Sequence, residues 1–172
     1  MLQRGGGRLK KWLTPFLVLQ LALSMLVPVY ADTETVGIPV DSPWYGFKKL
    51  FEAIELFFAS GDYSRAETAM RHAETRLAEV QDCISRGQEK HIEGLMKEYA
   101  DLLNISLSHA DNTKDLGLIW KIGNATLKHQ AVLQRNLEKA PEPAKKGLQN
   151  AINASIKGHQ QALESHKKAK KK

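Results

Sequence analysis

The sequence predicts an all-α protein: an antiparallel helical bundle, or elongated helical hairpins, of about five helices behind an N-terminal signal segment. Three observations lead there. Apolar residues recur three and four positions apart through most of residues 43–166, the period of a half-buried helix. No stretch shows the two-residue alternation and β-branched enrichment of a strand. The joints between periodic segments are short and marked by Gly61, Gly87, Pro141 and Pro143, and short joints favour antiparallel neighbours.

Residues 1–31 read as a signal peptide. Arg4, Arg8, Lys10 and Lys11 form a basic leader, Trp12 to Val27 (WLTPFLVLQLALSMLV) an apolar stretch, and Pro28-Val-Tyr-Ala31 a cleavage region. Cleavage is expected between Ala31 and Asp32; the alternative is a retained anchor, since the apolar stretch approaches the about 20 residues a spanning helix needs. Either way the remainder is expected to be extracytoplasmic, secreted or associated with the cell envelope. Residues 32–42 form a polar linker.

The first helix is expected over about 43–60, started by Asp41-Ser42-Pro43. Phe47, Leu50, Phe51, Ile54, Phe57 and Phe58 carry four of the protein's five phenylalanines, and this stripe is expected to form the deepest part of the core. Asp62 is expected to cap a second helix, about 63–86. Its seam of Tyr63, Ala66, Met70, Ala73, Leu77, Val80 and Ile84 is spaced 3, 4, 3, 4, 3, 4, the heptad pattern of a helix laid along a partner. A third helix, about 88–110, presents Ile92, Leu95, Met96, Tyr99, Leu102 and Leu103. A fourth, about 114–139, has a weaker stripe of Ile119, Ile122, Thr126, Val132 and Leu133. A fifth, about 144–166, carries Leu148, Ile152, His159 and Leu163 and runs into KKAKKK at 167–172, expected to be a disordered tail. Glycines 94, 117, 123, 147 and 158 fall inside predicted helices, each costing about 1 kcal/mol relative to alanine.

The 172 residues carry a formal net charge of +6, which would suit a nucleic-acid binder. Its distribution does not. Without the four basic residues of the leader the charge is +2, and without the five lysines of the tail it is −3. No nucleic acid is expected as a partner. A single cysteine, Cys83, excludes a disulfide framework within the chain and reads as a small packing residue.

Catalytic and metal constellations are missing from the pattern. The Glu-x-x-His spacing of di-iron bundles does not occur, and no Gly-x-Ser-x-Gly elbow is present. No catalytic residue, cofactor or metal ligand is therefore assigned and no enzyme is expected. The expected role is an exported binding or structural module. The alternative is an extracytoplasmic metal or stress sensor using His129 and His159. Residues assigned to contact with a partner or surface are Arg76 and Glu79, on a helix face toward an envelope protein, and Lys167, Lys168, Lys170, Lys171 and Lys172. Those lysines could meet an anionic membrane or wall polymer at about 1 kcal/mol each.

Two blocks carry a family resemblance. Pro43-Trp-Tyr45-Gly-Phe-Lys48-Lys49-Leu-Phe-Glu52 resembles Pro-Leu-Tyr-Pro-Leu-Lys-x-x-x-Glu, and Ala73-Glu-Thr-Arg76-Leu-Ala-Glu79 resembles Ala-Glu-x-Arg-Leu-Ala-Glu. Both are motifs of a bacterial extracytoplasmic domain family of unknown function. The resemblance covers roughly residues 38–165, with Gly46 standing where the family more often has proline. It implies an exported all-helical domain near the membrane or wall, and no catalytic residues. Taken alone, Lys48–Glu52 reads as an i,i+4 pair and Arg76–Glu79 as an i,i+3 pair on a solvated or inter-helix surface.

Overall fold

A computed structural model of the chain describes residues 37–171. The proposed signal peptide, the first part of the linker and Lys172 lie outside the described residues. Among the described residues there are five α-helices and no strand, the all-α class that the periodicity predicts. They are α1 (Tyr45–Phe58), α2 (Gly61–Ser85), α3 (Ile92–Thr113, entered through a 3₁₀ turn at Glu89–His91), α4 (Leu116–Lys139) and α5 (Glu142–Lys170). None of them is long and apolar enough to cross a membrane.

Helices α2 to α5 form an up-and-down four-helix bundle. Each of α2 and α5 packs beside both α3 and α4, and α3 and α4 touch across the diagonal. Side-chain contacts fix the directions. Ser106 Oγ donates to Ala66 O at 2.8 Å and Ser155 Oγ to Thr126 O at 2.8 Å, so α3 runs against α2 and α5 against α4. The turns use glycine where the backbone demands it: Gly61 (φ 77°) opens α2 and Gly87 (φ 66°) follows it, a region that costs a side chain dearly.

The heptad seam of α2 is buried from Ala66 to Val80, with Tyr63 left exposed and Ile84 half-buried. It meets Ile92, Leu95, Met96, Tyr99, Leu103 and Leu107 of α3. The α5 stripe is different from the predicted one. Leu163 is exposed, and the buried face is built mainly from small residues: Ala144, Gly147, Ala151, Ser155, Gly158, Ala162 and Ser165, beside Leu148 and Ile152. This accounts for three of the mid-helix glycines. A Cβ on Gly147 would stand 3.1 Å from Glu93 Cα, one on Gly158 3.0 Å from Leu107 Cδ1, and one on Gly123 3.2 Å from Ala162 Cβ. Glycine lets these helices approach closely. Around Gly94 there is open space.

Four local expectations are corrected. Asp62 does not cap α2; its carboxylate accepts from His109 Nδ1 at 2.6 Å, tying the start of α2 to the end of α3. Residues 111–113, which fall between the third and fourth predicted helices and are expected as a loop, are the last turn of α3, closed by Lys114 in the left-handed conformation. The segment 167–170, expected to be disordered, continues α5 as helix. The α1 stripe, expected to be the deepest part of the core, is outside: α1 has no buried residue.

The glycines separate into two kinds, and substitution tests the distinction. Gly94→Ala should stabilise the protein by about 0.5–1 kcal/mol through helix propensity. Gly147→Ala should destabilise it by about 1–3 kcal/mol, because a backbone atom stands where the methyl would go. Denaturant unfolding of the two variants reads both signs.

Candidate functional site

Helix α1 lies antiparallel on α2, at its junction with α3, and it lies there on its polar side. Tyr45, Lys48, Lys49 and Glu52 are spaced so that one face of the helix carries all four. They meet Arg76 and Glu79 of α2 and Glu98 of α3. Three cations thus face three carboxylates. Arg76 is the centre of this cluster and is 0% exposed, as is Glu79.

The Arg76 guanidinium is almost fully used. Its Nη2 donates to Glu52. Its Nη1 approaches Tyr45 Oη at 2.6 Å, Glu79 Oε2 at 3.0 Å and Glu98 Oε2 at 3.2 Å. Nε has no acceptor among the described residues. Tyr45 Oη accepts from Arg76 and donates to Glu79 Oε2 at 3.0 Å. Burial, then the neighbouring Glu79 carboxylate, pushes the Tyr45 phenol far above its usual range, so it remains a donor. Lys48 reaches Glu79 and Lys49 reaches Glu98, closing the cluster toward solvent. Further along, Glu55 takes a two-pronged contact from Arg71, at 2.5 and 3.3 Å. That hydrogen bond holds the Glu55 carboxyl below its ordinary value.

This seating leaves the other side of α1 facing outward. Trp44, Phe47, Leu50, Phe51, Ile54, Phe57 and Phe58 are between 41% and 76% exposed. Side chains of this class have about 150–250 Å² each when aromatic, so the face amounts to roughly 800 Å². The largest apolar patch on a typical monomer is about 300–600 Å².

The residues assigned from sequence fall in different places. Arg76 and Glu79, expected on a surface for a partner, are fully buried and bind α1; they are not a docking face. Lys167, Lys168, Lys170 and Lys171 are exposed at the end of α5, and Lys172 lies outside the described residues. Glu67 and Arg71, readable as a helix-surface pair, turn to other helices: Glu67 to Lys121 at 2.6 Å and Arg71 to Glu55. His129 and His159 do not form a shared site. His129 Nδ1 meets Tyr99 Oη at 3.2 Å, while His159 Nδ1 meets Gly123 O at 2.8 Å. No group of three metal-ligating side chains occurs among the described residues. Cys83 is buried, and burial raises its thiol to about 11. A groove of about 310 Å³ between α2 and α4 is lined by Met70, Leu118 and Ile122, by the Glu67–Lys121 pair and by Arg71 and Glu74.

The cluster makes two predictions. Arg76→Ala should cost about 3 kcal/mol, since it takes from a buried cluster the guanidinium that Glu52, Glu79 and Glu98 share, and Arg76→Lys should recover only part of that, because an ammonium cannot span the acceptors around a planar fork. Denaturant unfolding followed by circular dichroism measures both. The second concerns acid. Burial lowers the pKa of His72, with Glu52 and Glu55 opposing and Arg71 and Arg76 assisting. The unfolded chain therefore gains a proton near pH 6.5 that the folded chain gains only lower, so stability is full above that pH and declines on acidification below it. The lowered Glu55 adds a second loss below its ordinary value of 4.5. His72→Gln should flatten the decline just below pH 6.5 and leave the more acidic limb, as read from thermal midpoints across pH.

Both blocks of the resemblance meet in this cluster: Tyr45, Lys48 and Glu52 come from the first, and Arg76 and Glu79 from the second. Comparison with curated proteins and with solved structures gives no match. Comparison with protein families gives one whose matched span, residues 37–171, takes in all five helices. The chain belongs to that family, described as a domain of unknown function, DUF5667.

Proposed function

We propose that this protein is an exported, non-enzymatic binding module of the cell envelope, and that its working surface is the outward apolar face of α1. The single observation that carries the reading is the orientation of α1. An amphipathic helix ordinarily turns its apolar stripe to the core; this one is held by its charges with the stripe outward. Helix-in-groove recognition uses apolar anchors at i, i+3, i+4 and i+7, and Phe47, Leu50, Phe51 and Ile54 have that spacing. The basic leader and apolar stretch of residues 1–31 support export. The exposed lysines at the end of α5 supply a second, weaker contact to an anionic polymer or membrane, sensitive to salt.

Co-sedimentation of the full chain with isolated envelopes tests this. Phe51→Glu combined with Phe57→Glu should reduce association at least tenfold while leaving the helical circular-dichroism spectrum unchanged, and deleting residues 167–172 should weaken only the salt-sensitive part. Undiminished association of the double variant would overturn the assignment of the surface.

A further inference from the structure

The apolar face of α1 has a nearly symmetric spacing of residues. Six of its seven residues, Trp44, Phe47, Leu50, Phe51, Ile54 and Phe57, are separated by 3, 3, 1, 3 and 3 positions, a series that reads the same in both directions, with Phe58 standing beyond it at one end. The geometry points to a second copy of this chain as the occupant of that face: two α1 helices packed antiparallel about a twofold axis between Leu50 and Phe51. This rests on the reading of α1 as the working surface and names its partner.

In that register Trp44 lies opposite Phe57 of the second copy, Phe47 opposite Ile54, and Leu50 opposite Phe51. Phe58 falls opposite Pro43. A twofold interface must be self-complementary in this way, each patch meeting the same patch. The charges agree. Glu55, the half-exposed carboxylate at the edge of the face, comes opposite Gly46, and α1 itself carries two lysines and two glutamates, so the copies do not repel. The area agrees as well: the roughly 800 Å² offered by each copy is about what each partner contributes to a stable interface. A bilayer fits less well. A helix lying in an anionic interface keeps free basic residues on its polar side, whereas Lys48 and Lys49 are both committed to carboxylates.

Cysteine cross-linking of the full chain in intact cells tests both the pairing and its direction. Cys83 is buried and gives little background. Under oxidation Leu50→Cys, beside the axis, should yield a covalent dimer. Trp44→Cys alone should not, but Trp44→Cys produced together with Phe57→Cys should. Adding Phe51→Glu to the Leu50→Cys chain should cut the cross-link at least tenfold with the helical spectrum preserved. Self-cross-linking of Trp44→Cys without the mixed product would overturn the antiparallel register. The absence of any cross-link, with Phe51→Glu still releasing the chain from envelopes, would overturn the pairing and leave the binding surface standing. A monomeric chain that floats with phosphatidylcholine vesicles unless Phe51 is replaced would overturn it in favour of a membrane. If neither cross-linking nor envelope association responds to Phe51→Glu, both readings fail.

Discussion

The arrangement of this domain depends on one buried guanidinium. Arg76 sits fully covered in the middle of α2, where an unpaired charge would cost several kcal/mol even after relaxation. Its companion Glu79, one turn further on, is equally covered and carries the opposite sign. The pair does not satisfy itself: each has hydrogen-bonding capacity left over, and α1 supplies what is missing through Tyr45, Lys48 and Glu52. The rotation of α1 about its own axis is thereby fixed. Only one of its faces carries the phenol, the ammonium groups and the carboxylate that the cluster requires.

That constraint decides a competition that hydrophobicity alone would settle otherwise. The exposed face of α1, roughly 800 Å², represents on the order of 20 kcal/mol of gross transfer free energy. If α1 could simply roll over, that energy would be available. It cannot, because the seat beneath it is polar: Arg76, Glu79 and Glu98 line the junction of α2 and α3, and phenylalanines placed there would strand charges rather than meet apolar partners. A buried ionic cluster contributes little net stability compared with a well-packed apolar one, yet breaking it is expensive. Here it selects an orientation.

The fold was legible because its signals are periodic and local. The seam of α2, the buried residues of α3 and the glycine and proline joints all act through neighbours within one or two turns, and the helix ends fall within a few residues of expectation. The reading failed at α1, whose apolar side faces outward. Phe47 to Phe58 have the spacing of a core stripe, and period alone cannot say whether the apolar side faces inward. A signal was present on the other face: Tyr45, Lys48 and Glu52 repeat at helical spacing, and Arg76 and Glu79 lie on a helix whose seam leaves them a side of their own. Pairing the two blocks across helices, instead of within each, would have found the cluster. The end of α5 was misjudged for a related reason, since five lysines argue for solvent, and lysine in the last turn of a helix is favourable rather than disruptive.

The bundle can carry α1 in this way because its apolar core takes no residue from that helix. Tyr99, Leu103, Ile122, Leu133 and Leu148 are buried by α2 to α5, and α5 closes against its neighbours through Gly147 and Gly158 at distances only glycine allows. The core therefore draws on none of the phenylalanines of α1. A helix that contributes nothing to the core, is oriented by charge and presents its apolar residues outward has its burial free energy still to be realised. Association costs about 4–15 kcal/mol in lost freedom, besides the ordering of side chains, and burial of apolar surface is the term that opposes those costs. The physical expectation is a covered face, and the chain's own sequence supplies a matching surface to cover it.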